Sequence, residues 1–225
     1  MHLGSNVNLN YANLTGTNLR FSNLNNAQLV GLDLTYSDLS DSKLNGSLLQ
    51  NSNLNSAKLN YADLGYANLE KANLKNANLQ GANLQNTNLS STNLTNVILK
   101  GVRSGEILGE PVGLLSPWIF TSGHLVGPYA SLSFANLTNS NLNGADLTNA
   151  NLKYANLTNS EMWYAKLTNS DLSYANLKGI NINHAIFTDA ELTQVKSGGI
   201  KGMAEELPST WTLSSGFLLG PKADL

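Results

Sequence analysis

Three histidines are the first place to look for chemistry in this 225-residue chain, and they stand far apart: His2, His124 and His184. A catalytic triad or a metal site needs a second imidazole or a carboxylate at a spacing that one element can bring together, and none of the three has one. Each reads as a surface residue. The acidic pairs Asp38 with Asp41 and Glu205 with Glu206 fall on expected surface or loop, where solvation accounts for them. The glycines from Gly105 to Gly113 do not make a phosphate-binding loop, because the lysine and the helix that should follow are missing. There is no cysteine, which excludes disulfides, thiolate metal ligands and a cysteine nucleophile together. The expectation is a protein with no catalytic residue, no cofactor and no metal.

What the chain holds instead is a period of five. Counting from Leu9 in steps of five, the central position is leucine nineteen times out of nineteen as far as Leu99. From Leu132 to Leu192 it is leucine ten times in thirteen, with Met162, Ile182 and Phe187 as the exceptions. Asparagine-rich sequence of low charge can also be disordered or fibril-prone, but a compositional bias does not keep register. Around a helix five residues advance by about 500°, so successive leucines would drift and never gather into one stripe. In an extended strand an odd period would send alternate leucines to opposite faces. A chain that turns a corner once per pentad is left, with its leucines pointing inward and the polar residues out, which is a solenoid.

The motif then carries a resemblance. The run AlaAsnLeuThrAsn at Ala155 to Asn159, with its near copies throughout the chain, resembles the pentapeptide-repeat proteins, whose unit is a small residue, an Asn or Asp, a Leu and two variable positions. The fold that this resemblance implies is all-β: a right-handed, four-sided β-helix with about twenty residues per coil. Leu9, Leu14, Leu54, Leu74, Leu94, Leu137, Leu157 and Leu177 are then expected in the core. The short polar residue before each central leucine suits a turn, although Lys43, Leu48, Lys58 and Ile98 depart from it. Leu32 stands where a small residue is expected and must bulge or be accommodated. One coil's four leucines do not repay the ordering of its twenty residues, so coils must stack.

Between Leu99 and Leu132 the register is lost, and the segment that breaks it occurs twice. Val102 to Leu132 aligns without a gap on Val195 to Leu225, 93 residues later, pairing Gly105 with Gly198, Trp118 with Trp211, Leu125 with Leu218, and Gly127 and Pro128 with Gly220 and Pro221. The expected organisation is a single solenoid: a first pentad run over 7–101, a cassette rich in Gly, Pro and Trp over 102–131, a second run over 130–194, and a second cassette over 195–225 that caps the C-terminal coil. Pentad phase expects the coil to persist at the cassette's edges, through Val102 and Ile107 and again at Phe120 and Leu125, with loops thrown outward over 108–119 and 201–212. Trp118 and Trp211 are expected to anchor those loops.

In the second run Phe134, Tyr154 and Tyr174 lie twenty apart, as do Thr148, Thr168 and Thr188. On a four-sided coil each set would form a column. An aromatic column stabilises stacked sheets, or serves as an exposed docking strip widened by Trp163 and Tyr164 on other faces. The threonines make too few columns for a surface that binds ice.

Thirteen basic against fifteen acidic residues give a net charge of −2, and charged residues are only 12% of the chain. This argues against direct nucleic-acid binding and weighs against an inhibitor of a type II topoisomerase that imitates duplex DNA, an alternative that the resemblance raises. Lysines at positions such as Lys71, Lys75 and Lys153 weigh against it too. The leading expectation is a non-enzymatic structural or protein-interaction scaffold with an unknown protein partner, present as a monomer or an end-to-end dimer. With no apolar run of membrane-spanning length and no signal-peptide pattern in Met1 to Asn10, the chain reads as cytoplasmic unless a targeting segment has been removed.

Overall fold

The computed structural model describes residues 4–224, so His2 and Leu225 lie outside it. The chain divides into two compact units, Met1–Ser116 and Pro117–Leu225.

In the first unit each pentad makes one corner. The N–H of the residue three after the leucine donates to the leucine carbonyl, as from Ala12 to Leu9 (3.1 Å) and from Ala77 to Leu74 (2.9 Å). The residue between them, two after the leucine, is left-handed: φ is 61° at Tyr11 and 59° at Asn76. That conformation is uncommon for a side chain as large as tyrosine. The asparagine before the leucine tightens the same corner by accepting the N–H two residues on, as Asn13 Oδ1 does from Thr15 at 2.9 Å. At Lys43 and Leu48, where that acceptor is missing, the backbone turn still closes, with Ser47 donating to Leu44 (3.0 Å) and Ser52 to Leu49 (3.1 Å).

Four corners complete a coil, because each pentad pairs in parallel with the one twenty residues on, from Asn8 with Gln28 onward. Leu14 donates up to Asp33 (2.8 Å) and Asp33 donates back to Ala12 (3.0 Å), so the leucine and the small residue exchange ladder bonds with one acceptor position of the next coil. Side-chain amides also run between coils, from Asn73 to Asn53 (3.1 Å) and from Asn93 to Asn73 (3.2 Å). The central leucines from Leu19 to Leu99 are buried, Leu54, Leu74 and Leu94 among them. Leu9 and Leu14, in the first coil, are only half buried. Leu32 is accommodated without a bulge: it is buried and keeps its turn bond to Leu29 (3.2 Å).

The second unit repeats this geometry from Ser131, which pairs with Asn151, to Glu206, which pairs with Ile186. Leu137, Leu157 and Leu177 are fully buried, as are Met162, Ile182 and Phe187 in leucine's place.

In the cassettes the structure departs from pentad phase. The ladder continues further than the expected start of each loop: Leu108 still pairs with Asn88 and Val112 with Asn93, and Lys201 pairs with Asn181. Phe120 and Leu125, expected on resumed coil corners, lie instead in an antiparallel hairpin of β1 (Ile119–Thr121) and β2 (His124–Val126). The second cassette builds the same hairpin from β3 (Thr212–Ser214) and β4 (Phe217–Leu219), with Thr212 opposite Leu219 as Ile119 is opposite Val126. The cause is the two-residue link. Ser122 and Gly123 have φ of 48° and 72°, Ser215 and Gly216 have 49° and 79°, and two successive left-handed residues are what a tight hairpin turn of matching twist requires.

Candidate interaction surface

The left-handed position of the pentad points its side chain away from the core, so whatever sits there decorates a wall. In the second unit Phe134, Tyr154 and Tyr174 occupy it on one wall, with φ of 62°, 61° and 64°. Their rings stack, Phe134 on Tyr154 at 4.9 Å and 7° and Tyr154 on Tyr174 at 4.7 Å and 16°. The spacing is that of neighbouring strands, so the coil repeat itself puts the rings in contact. The column remains open to solvent, with exposures of 74%, 44% and 38%. Lys153 lies along it, its ammonium 5.7 Å from the Tyr154 ring and 5.6 Å from that of Tyr174. A cation so placed is attracted by the ring faces.

Trp163 and Tyr164 stand half a coil away from Tyr154 and Tyr174, on the opposite wall, and both are exposed. Tyr164 stacks on His184 at 4.9 Å and 5°. That pair escapes a search for aromatic columns because histidine is the partner, yet its twenty-residue spacing is the same signal. The Trp163 backbone N–H donates to Asn143 Oδ1 (2.8 Å), and exposed Met203 follows Asn183 in the same column. These residues therefore lie on two opposite walls of the second unit, and exposed Tyr129 stands apart from both.

The cassette tryptophans sit differently. Trp211 is buried, its backbone N–H donating to Pro208 O (2.8 Å), and Trp118 packs half-buried on the second unit's core. Each ring packs against a glycine, Trp118 on Gly127 and Trp211 on Gly220, where an added Cβ would clash with Cδ2 of the ring. Leu108, Val112 and Leu115 of the first cassette are exposed. His124 is buried, its Nδ1 2.7 Å from Ser122 O, whereas His184 is exposed.

Electrostatically the walls are quiet. Asp33 is held below the usual carboxylate range by the Thr35 hydroxyl and then by the Thr35 backbone N–H. Partial burial pushes Asp38 upward, but the hydroxyl and N–H of Ser40, with the cations of Lys58 and Arg20, outweigh it and hold the group low. Both are turn carboxylates whose ionised form is the hydrogen-bond acceptor. Among the described residues no group of three or more His, Asp or Glu is placed to hold a metal ion. No helix among them is long and apolar enough to cross a membrane.

A family model described as pentapeptide repeats (8 copies) matches residues 5–41, 37–76, 72–103, 130–163 and 164–196. No curated protein matches the chain. Among solved structures it is similar to HetL from the cyanobacterium Nostoc sp. strain PCC 7120, a pentapeptide repeat protein involved in heterocyst differentiation regulation. That likeness has 29% identity over 88% of this chain and 83% of HetL, with a TM-score of 0.47. It is also similar to the pentapeptide repeat protein Rfr23 from the cyanobacterium Cyanothece 51142, with 31% identity over 47% of this chain and 86% of Rfr23 and a TM-score of 0.46. QnrB1, a plasmid-mediated fluoroquinolone resistance protein, is 15% identical over 89% of this chain and 94% of its own, with a TM-score of 0.35. Five-residue corners, parallel pairing every twenty residues and a family match over most of residues 5–196 together mean that the chain belongs to the pentapeptide-repeat family, whose fold is the right-handed quadrilateral β-helix.

Proposed function

We propose that this protein is a non-enzymatic interaction scaffold whose partner is another protein, engaged through the aromatic wall of its second unit. The observation that carries the reading is the solvent-open stack of Phe134, Tyr154 and Tyr174, which holds three rings from successive coils in contact on one wall. Exposed aromatic rings held in fixed orientation lose little entropy on binding and are over-represented among residues that dominate protein interfaces. Lys153 adds a cation at its edge, and Trp163 with Tyr164 offers a second, smaller contact on the opposite wall. Trp118 and Trp211 serve as internal anchors of the cassettes in this reading. The exposed lysines Lys71 and Lys75 keep weighing against imitation of DNA.

The test replaces Phe134, Tyr154 and Tyr174 together by Asn, which the left-handed backbone accepts. The circular dichroism spectrum should keep its β signature while a specific partner is lost from pull-downs out of the native cell. Identical partner sets for parent and triple variant would end this reading. A parallel pull-down with residues 108–119 shortened asks whether the exposed Leu108, Val112 and Leu115 loop contributes.

A further inference from the structure

Of the thirteen lysines and arginines of this chain, twelve are exposed and Lys153 alone is half-buried. Its ammonium lies over the rings of Tyr154 and Tyr174. Among the described residues no carboxylate pairs with it: the two ion pairs are Arg20 with Asp41 and Lys71 with Glu70. Ring faces attract a cation without neutralising it, so Lys153 gives up part of its water and keeps its charge. The two straight segments that meet at this aromatic corner differ in what they present. On the segment that leaves the corner stand Asn136, Asn156 and Asn176, one above another, since each pairs with the next. Each uses its Oδ1 at the corner that follows, accepting the N–H of Thr138 (3.3 Å), Thr158 (3.2 Å) and Lys178 (3.2 Å). Their Nδ2 groups donate to nothing among the described residues, whereas the amides of Asn73 and Asn93 bond from coil to coil. On the segment that enters the corner the same places hold Asn151, Asp171 and Glu191. One flank of the ring column therefore offers donors beside a cation, and the other offers acceptors.

We propose that this corner binds an acidic segment of its protein partner, with a carboxylate on Lys153, further acceptors on the amides of Asn136, Asn156 and Asn176, and an apolar side chain against the rings. The inference rests on the reading of the aromatic wall as the partner surface and adds the sign of the partner. Complementarity carries it. A carboxylate completes the one cation that the fold holds partly out of water, where a charge-assisted bond is stronger than on an open surface. Asp171 and Glu191 repel the same segment from the other flank and so fix the side on which it lies. A basic or neutral segment would cover Lys153 without supplying a counter-charge, which costs affinity.

Panning the immobilised full chain against a phage library of random short peptides tests this. Selected peptides should carry Asp or Glu beside an aromatic or aliphatic residue, and a synthetic copy of the most frequent one is then titrated against variants. Lys153→Ala should weaken it about tenfold or more, the loss expected for one charge-assisted hydrogen bond, and Lys153→Arg should bind nearly as the parent does. Lys153→Glu, panned afresh, should select Lys and Arg in place of the acids. Asn156→Asp is an independent variant: it keeps an oxygen to accept the Thr158 N–H, as Asp171 does for Ser173 (2.8 Å), but replaces the outward donor by a carboxylate, and it should weaken the acidic peptide too. No selected peptide for the parent, selected peptides without acidic enrichment, or equal affinities for the parent, Lys153→Ala and Asn156→Asp would each overturn the proposal. The triple replacement of Phe134, Tyr154 and Tyr174 by Asn separates this inference from the reading beneath it. If that variant binds the acidic peptide as the parent does, the aromatic wall is not the partner surface. If it fails to bind while Lys153→Ala binds like the parent, the wall stands and the acidic partner falls.

Discussion

At the scale of single residues, the corner is the unit of design, and its carboxylates make it sensitive to acid. Asp33 accepts both the hydroxyl (2.6 Å) and the backbone N–H (2.9 Å) of Thr35, and its pKa is lowered accordingly. A group whose folded pKa is depressed contributes stability above its unfolded value, and that contribution disappears as pH falls through the folded value. The melting temperature should therefore drop on acidification below the ordinary Asp value of 3.8, and Asp33→Asn should flatten part of that slope; melting curves of parent and variant across acidic pH decide it. An unchanged slope would mean that the Thr35 bonds are as strong to the neutral acid. The asparagine before each leucine was legible as a turn residue, but the strained residue is the one two after the leucine, where Tyr11, Lys71 and Tyr154 all take positive φ. The preference is only partly visible in the residue types: Gly16, Gly46, Asn26 and Asn76 suit left-handed backbone, whereas the tyrosines and lysine take it because the corner's ladder bonds impose it.

At the scale of elements, the hairpin is the instructive case. Its turn, Ser-Gly in both copies, is a two-residue hairpin signal, but pentad phase extrapolated through Phe120 and Leu125 obscures it. Gly216 has a φ of 79°, and a Cβ there would lie 3.3 Å from the backbone nitrogens of Gly199 and Ile200. Gly216→Ala should loosen the β3–β4 hairpin by about 1–2 kcal/mol, the usual cost of left-handed backbone for a residue with a Cβ, read as faster hydrogen exchange at the Leu218 amide. The tryptophans offer a second handle. Gly220→Ala must displace the Trp211 ring from its seat, so its fluorescence should shift to the red while the far-ultraviolet spectrum of the β-helix remains. An unshifted emission would show that the ring does not depend on that glycine.

At the scale of the whole molecule, each unit is a stack in which a coil touches only its neighbours, so damage should be local in origin. Leu74→Ala is expected to cost about 2–5 kcal/mol, and Leu74→Asp more, because it buries a charge without a partner. Exchange protection should fall first at the pentads bonded to that corner, around Leu54 and Leu94, and least at the far coils of the first unit; uniform loss across that unit would count against nearest-neighbour stacking. The pentad register by itself determined a chain that turns once every five residues with Leu54, Leu74, Leu94, Leu137, Leu157 and Leu177 inward, because neither a helix nor a flat strand gathers an apolar position of that period on one side; the four-sided coil was what the resemblance to the family implied. Spacings of twenty likewise gave the Phe134–Tyr154–Tyr174 column in advance. Only the tertiary structure decided that Leu9 and Leu14 are half open, that the cassettes fold into hairpins, and that β2 is covered while β4 is not. The reason is physical: the two cassettes share a hairpin register and a turn, and the exposure of the hairpin's second face depends on what packs against it, which no local stretch of chain encodes.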